Sequence, residues 1–233
     1  FFLMIRRPPI STPLYSSAES DVYKRKNLAD AIESMGLTYA VITVVNRDDM
    51  DDGGASHYRR CIDVVHNRLP HVGLELLCSD LSGNTRALTS LLQNSPLKVF
   101  AHNVECVPRL DSVVRDPRAS FEQSLMVLQE AKRLRPDTLT KSSIMVGVGE
   151  TDEEILEAMR LLRGVGVDLL TIGQYLAPSP RHLVVDRFPE PEIFAEWDQA
   201  ARELGFKAVA SGPLVRSSYR AGLLYEEARG GPV

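Results

Sequence analysis

From residue 26 onward the apolar positions alternate between two periods. "NLADAIESMG" (27–36) repeats its apolar residues at helical spacing and ends on Gly36, a residue suited to the left-handed position that closes a helix. "TYAVITVV" follows from Thr38 to Val45, β-branched and apolar, as a strand buried on both faces should be. The pair then recurs. "HYRRCIDVVHNRL" has the helical period and "GLELLCS" the strand character; "TRALTSLLQN" and "KVFAHNV" repeat the beat. "SFEQSLMVLQEAKRLRP" is helical to Pro136, and "SSIMVGVG" follows as a strand. "TDEEILEAMRLLRGVG" opens with Thr151 and Glu154 in capping-box positions, carries acids in its first turn and stops at Gly164. "DLLTIGQYL", "PEIFAEWDQAARELG" and "KAVASG" complete the series as strand, helix and strand.

Strands that are each preceded by a helix imply parallel βαβ units. The count favours an α/β fold built as a parallel (β/α) barrel of the TIM type, or a close relative of it, over an open sheet. An open doubly wound sheet usually carries a glycine-rich fingerprint in its first βα turn, and none is present. The regular region starts with a helix, so the predicted barrel lacks its first strand and has raw edges, a liability for any sheet. Residues 26–229 read as one barrel core without a linker.

The opening "FFLMIRRPPISTPLYSSAESDVYKR" breaks this pattern. Its apolar run is too short for a signal peptide, and Arg6 and Arg7 follow the run where they should precede it. Pro8 and Pro9 then block a helix. Residues 1–25 are expected to be a non-native or disordered tail.

Composition narrows the function. Of 233 residues, 27 are Lys or Arg and 31 Asp or Glu, and a net charge of −4 excludes a strongly basic nucleic-acid binder. No apolar run approaches the ~18 residues of a membrane span. Cys61, Cys78 and Cys106 are 17 and 28 residues apart and match no metal-ligand spacing. Cys61 and Cys78 read as small buried hydrophobes.

In (β/α) barrels the chemistry sits at the carboxyl ends of the strands. There the sequence places Asn46–Asp49 and Asp51–Gly54; His102, Asn103 and Glu105; Gly147–Glu150; Gln174 and Tyr175; and Ser211–Pro213 with Arg216–Tyr219. Lys141 introduces the fourth strand. Each group has a plain structural reading, as a solvated acid, a satisfied polar pair or a helix entry. Together they leave two chemistries open. Lys141 in an apolar barrel suits a Schiff-base lyase. A face rich in Asp, Asn, Glu, His and Gly suits a polar nucleoside cofactor held by hydrogen bonds.

Five blocks, "VITVVNRDDMDDGGASHY", "VFAHNVECVPRL", "TKSSIMVGVGETDEE", "LLTIGQYLAPSPRHL" and "ASGPLVRSSYRAG", resemble the lipoyl synthase family of radical S-adenosylmethionine (SAM) enzymes. The resemblance runs in order from about Asn27 to about Arg229. It implies a parent enzyme with two [4Fe–4S] clusters and SAM, a sulfurtransferase that inserts two sulfur atoms into the octanoyl group of lipoyl-carrier domains. The implied partners are the E2 subunits of 2-oxoacid dehydrogenases, the glycine cleavage H protein and an electron-donor protein, in the cytoplasm, with no nucleic acid or membrane. It further implies that Ser218, or less readily Ser217, ligates the auxiliary cluster, with Arg216 beside it. Asn103, Glu105, Lys141, Gly147, Gly149, Glu150 and Gln174 are expected to line the SAM and substrate cavity.

The departures are equally specific. The family's CxxxCxxC loop and its auxiliary-cluster cysteines have no counterpart here, and Cys61, Cys78 and Cys106 fall where the family has no ligand. Asn46 stands where many members have Asp. The chain is therefore expected to be an N-terminally truncated lipoyl synthase, inactive by itself. A Schiff-base lyase using Lys141 and a non-catalytic module that docks a lipoyl-carrier domain are the alternatives.

Overall fold

The computed structural model describes residues 3–4, by backbone, and 27–231. One parallel sheet runs in sequence order, β1 (Leu3–Met4), β2 (Tyr39–Thr43), β3 (Gly73–Leu77), β4 (Val99–Ala101), β5 (Leu139–Val146), β6 (Leu169–Gln174) and β7 (Ala208–Gly212). A helix precedes each strand from β2 onward. They are α1 (residues 27–34), α2 (Ala55–Arg68), α3 (Thr85–Leu92), α4 (Asp111–Val114) with α5 (Phe121–Leu134), α6 (Asp152–Gly164) and α7 (Pro191–Glu203). The partial (β/α) barrel read from the sequence is the fold observed. Strand β1 adds only a two-residue pairing, Leu3 to Ile42 and Met4 to Thr43. Apart from that pairing, the expectation for residues 1–25 lies outside the described residues.

The helices form where the pattern places them because their ends are chemically marked. Thr151 Oγ1 accepts from Glu154 N while Glu154 Oε2 accepts from Thr151 N, the reciprocal capping box of α6. Asn84 and Ser120 cap α3 and α5 through their side-chain oxygens. Two apolar clusters join the helices to the sheet, one around β2 and β3 with α1, α2 and α3, the other around β5 and β6 with α5, α6 and α7.

A further helix, α8 (Ala221–Ala228), has no counterpart in the sequence reading. Its Leu224 and Tyr225 form a third cluster with Val99, Leu139, Leu169 and Ala208, the first residues of β4 to β7. Tyr225 also stacks on Tyr39 at the start of β2, with ring centroids 5.4 Å apart. Thus α8 covers the amino-terminal end of the barrel and spans the seam between β2 and β7, leaving the carboxyl ends of the strands for the site.

Candidate functional site

Above the sealed floor the interior is polar. Glu75 in mid-β3 accepts from Lys141 Nζ at 2.8 Å through Oε1 and from the Tyr39 hydroxyl at 2.9 Å through Oε2. Lys141 does not introduce its strand, as the sequence suggests. It is the third residue of β5, 1% exposed and ion-paired, and it does not line the mouth cavity. A paired, sealed ammonium is no nucleophile for an incoming carbonyl. Burial, with the Glu75 charge next, holds the Tyr39 phenol well above its ordinary range.

The mouth itself is a cavity of about 670 Å³ at the carboxyl ends of β2, β3 and β4. Asn46, Asp48, Asp51 and Gly53 line it from the loop after β2, and Ser79 and Asp80 from the end of β3. His102, Asn103 and Glu105 line it from the end of β4, and Arg115, Asp116 and Arg118 from the segment before α5. Asp52 does not join them: its carboxylate accepts from Gly54 N and Ser56 N, both at 2.9 Å, and caps α2. The Ser56 side chain and these amides hold its carboxyl below the ordinary range.

Glu105 has the left-handed φ of 68°, held by pairing with β5 on both sides: its N–H donates to Ser143 O at 3.2 Å, and its carbonyl accepts from Met145 N at 2.7 Å. Burial pushes its carboxyl up, against the Asn103 amide that donates to it at 3.2 Å. Asn103 Oδ1 and Thr43 Oγ1, both at the cavity wall, are buried without a hydrogen-bond partner. A non-glycine left-handed residue and orphaned acceptors together mark a site built to meet a ligand.

Gly147, Gly149, Glu150 and Gln174 form a separate cluster. Glu150 folds back on its own loop, Oε1 accepting from Gly147 N at 2.7 Å and Oε2 from Val148 N at 2.9 Å. Gln174 Nε2 donates to Tyr175 O at 2.9 Å and Arg187 O at 3.1 Å. These side chains shape the β5 and β6 ends and are spent on protein partners. Ser218 lies apart again, in the seam, on a second cavity of about 760 Å³ beside Tyr39, Ala40 and Ala221.

The residues do not fit an iron–sulfur cluster. Cys78 and Cys106 are buried thiols, each pushed up to about 12 by burial, whereas a cluster needs thiolates. Among the described residues no three His, Cys, Asp or Glu side chains are placed to hold a metal. A nucleoside sulfonium is a different matter. Asp48 and Asp116 are ion-paired to Arg118, and Asp80 accepts from Gln123 Nε2 at 2.6 Å; Asp51, the buried Arg115 and the orphaned Thr43 and Asn103 oxygens suit a polar ligand with cationic and anionic ends. Ser79, Asp80 and Arg115 escaped the sequence reading. The strand-end rule covers the first two, but no local signal marks Arg115.

Residues 16–162, more than half of the chain, match the model of the radical SAM superfamily. The chain belongs to that superfamily. Within it, the chain is 52% identical over 208 residues to lipoyl synthase of Thermus thermophilus, covering 89% of this chain and 64% of that protein. It is 51% identical over 207 residues to lipoyl synthase of Ectopseudomonas mendocina, covering 89% and 59%. The chloroplastic lipoyl synthase of Arabidopsis thaliana is 49% identical over 220 residues, covering 94% and 53%. The chain thus spans between about half and two-thirds of these relatives' length. Among solved structures, methylornithine synthase (PylB) superposes with a TM-score of 0.63 at 15% identity, covering 88% of this chain and 59% of that one, a likeness of fold alone. No helix among the described residues is long and apolar enough to cross a membrane.

Proposed function

We propose that this chain is the barrel portion of a cytoplasmic lipoyl synthase, the sulfurtransferase that inserts two sulfur atoms into octanoyl groups carried on lipoyl domains. The observation that carries the reading is identity near 50% running across 85–94% of the chain, through every block that builds the mouth. The carriers are E2 subunits of 2-oxoacid dehydrogenases and the glycine cleavage H protein, with a separate electron-donor protein.

In this reading the mouth cavity holds SAM, which supplies the radical-forming group when bound. The chain's own residues bind and orient it: Asn103 and Thr43 offer free acceptors, Asp51 faces its cationic groups, and Glu105 stands at the wall between cavity and barrel. Ser218 is proposed as the single auxiliary-cluster ligand contributed by this chain, from its place on the seam. The two [4Fe–4S] clusters need cysteines this sequence does not contain, so the chain alone is inactive.

The test is a pair of proteins given SAM, reductant and an octanoylated H protein. The chain alone should yield neither 5′-deoxyadenosine nor lipoyl product. A chimera of residues 27–231 with the amino-terminal portion of the Thermus thermophilus relative, reconstituted with iron and sulfide, should yield both. A folded, iron-loaded chimera that makes neither would overturn the reading, as would turnover by the chain alone.

A further inference from the structure

We propose that the amino-terminal end of the barrel carries a ligand site of its own, a cavity beside α8 that takes a small multivalent oxyanion, phosphoryl or polycarboxylate. The proposal goes beyond the reading of the mouth and does not rest on it, because the cavity lies at the opposite ends of the strands. It measures about 400 Å³. Ser95 and Lys98 line it ahead of β4, Arg135 and Leu139 at the entry to β5, Lys207 just before β7, and Arg229 at the end of α8.

The charges around this cavity are not balanced. The one acid among its described lining residues, Asp137, is engaged by Arg135, whose Nε and Nη2 donate to it at 3.0 and 2.8 Å. Arg135 Nη1 donates to the Leu92 and Ser95 carbonyls at 3.2 and 2.6 Å. Asp168 pairs with Lys207 at 2.9 Å but also with Lys132 at 2.7 Å, so one carboxylate serves two ammoniums. Among the described residues, neither Lys98 nor Arg229 has a carboxylate oxygen within 4 Å. Arg229 lies over the Tyr225 ring, 5.5 Å from its centroid, and reaches that hydroxyl at 3.4 Å. Helix carboxyl ends gather cations. That demand accounts for Arg135, which bonds the last carbonyl of α3, and for Arg229 at the end of α8, but Lys98 donates to no carbonyl among the described residues.

A neutral group on the same wall gives the second sign. Ser95 is 3% exposed, and its hydroxyl has no hydrogen-bond partner. Its backbone is fixed, the N–H donating to Leu92 O at 3.0 Å and the carbonyl held by Arg135. A buried hydroxyl left unmade costs free energy, and such groups ordinarily find a partner. An oxyanion supplies it: one oxygen accepts from Ser95, the others from Lys98, Arg229 and the remaining Lys207 protons. The positive excess selects an anion with more than one charge, since a single carboxylate leaves cations unpaired. Local charge must do this, because the chain as a whole, at −4, repels anions. The amino-terminal face of a (β/α) barrel ordinarily serves stability. An orphan hydroxyl beside uncompensated cations adds none until a ligand arrives.

The probes are pyrophosphate, citrate and acetate, titrated calorimetrically into the chain at constant ionic strength. Pyrophosphate or citrate should bind about tenfold or more tightly than acetate, as added charge-assisted hydrogen bonds confer. A lead of pyrophosphate over citrate assigns a phosphoryl ligand, and the reverse a polycarboxylate. Lys98→Met and Arg229→Met should each weaken the tighter probe about tenfold, and Ser95→Ala about threefold. Lys98 and Arg229 are exposed, so their variants should fold, and circular dichroism checks all three. Arg160→Gln removes the same charge from α6, where Arg160 is 56% exposed and paired with Glu157, and should leave affinity within about twofold. An equal loss in Arg160→Gln would show attraction by diffuse surface charge and overturn the proposal. Unchanged affinity in Lys98→Met would overturn it too, as would binding of both multivalent probes weaker than about 1 mM. None of these failures touches the reading of the mouth.

Discussion

Lys141 Nζ lies 2.8 Å from Glu75 Oε1, with both side chains 1% exposed, so the barrel interior is organised around a sealed ion pair. Removing one partner strands the other charge in a low-dielectric interior, at about 3–5 kcal/mol. Lys141→Met and Glu75→Leu should each lower unfolding free energy by that order in urea titrations. The double variant should recover much of the loss, because it buries no charge. A double variant as unstable as the sum of the singles would show that the pair is not the source.

That pair also explains where sequence reading succeeds and stops. The βα beat was legible because the helix faces and strand runs are apolar against one another. The barrel interior obeys another rule: Tyr39, Glu75 and Lys141 satisfy each other across three strands, and nothing local shows which lysine has a carboxylate waiting 66 residues upstream. Lys141 therefore looked like a strand entry. His102 was legible as one half of a satisfied polar pair, and it is satisfied, by Cys78 O and Ser124. Its partners, and the way α8 closes the floor, depend on tertiary closure that no spacing encodes.

Asp168 should make stability depend on acid. Burial alone raises its pKa, but Lys132 Nζ at 2.7 Å, Lys207 Nζ at 2.9 Å and the Thr140 N–H at 3.0 Å outweigh it, and the net shift is downward. A carboxyl with a depressed folded pKa contributes stability above its unfolded value, near 3.9, and loses it as pH falls through the folded value. Asp168→Asn should cost about 1–3 kcal/mol at pH 7, as for hydrogen bonds to charged groups. The gap from wild type should narrow below pH 4 in parallel denaturation series. A gap independent of pH would contradict the assignment.

The glycines of the β5 turn separate steric from conformational demand. Gly147 (φ 94°) and Gly149 (φ 108°) both occupy backbone that L residues avoid. A methyl at Gly147 would run into the Gln174 amide and the Arg187 carbonyl, whereas one at Gly149 meets nothing within 4 Å. Gly149→Ala should cost roughly the 1–3 kcal/mol of backbone strain. Gly147→Ala should cost clearly more and free the Gln174 amide, visible as a larger drop in melting temperature and altered chemical shifts at Gln174.

The cysteines should be silent in the folded chain. All three are buried, and burial pushes Cys78 and Cys106 up to about 12, so thiolate is scarce at pH 8. A disulfide-exchange reagent at pH 8 should label none of the three in native buffer and all three in denaturant. Rapid labelling of Cys78 in the native chain would instead expose a thiolate at the mouth cavity, and the mismatch with a cluster would need revision.

Glu105 should behave oppositely to Asp168. Burial raises its pKa, with the Asn103 amide and the Arg115 charge opposing, and the folded value stays above the unfolded one. Such a carboxyl favours folding when protonated and burdens it when ionised, so its penalty grows as pH rises from the unfolded to the folded pKa and persists above. Glu105→Gln should therefore stabilise the chain at pH 7, by about 0.5–2 kcal/mol on the scale of relieved functional strain, with the gain vanishing below pH 4. The same change should weaken nucleoside binding at the mouth, because the carboxylate and its left-handed backbone stand at the cavity wall. A residue that the fold would be better without, and the ligand would not, is held there for the ligand. Gain of stability with unchanged binding would remove Glu105 from the site.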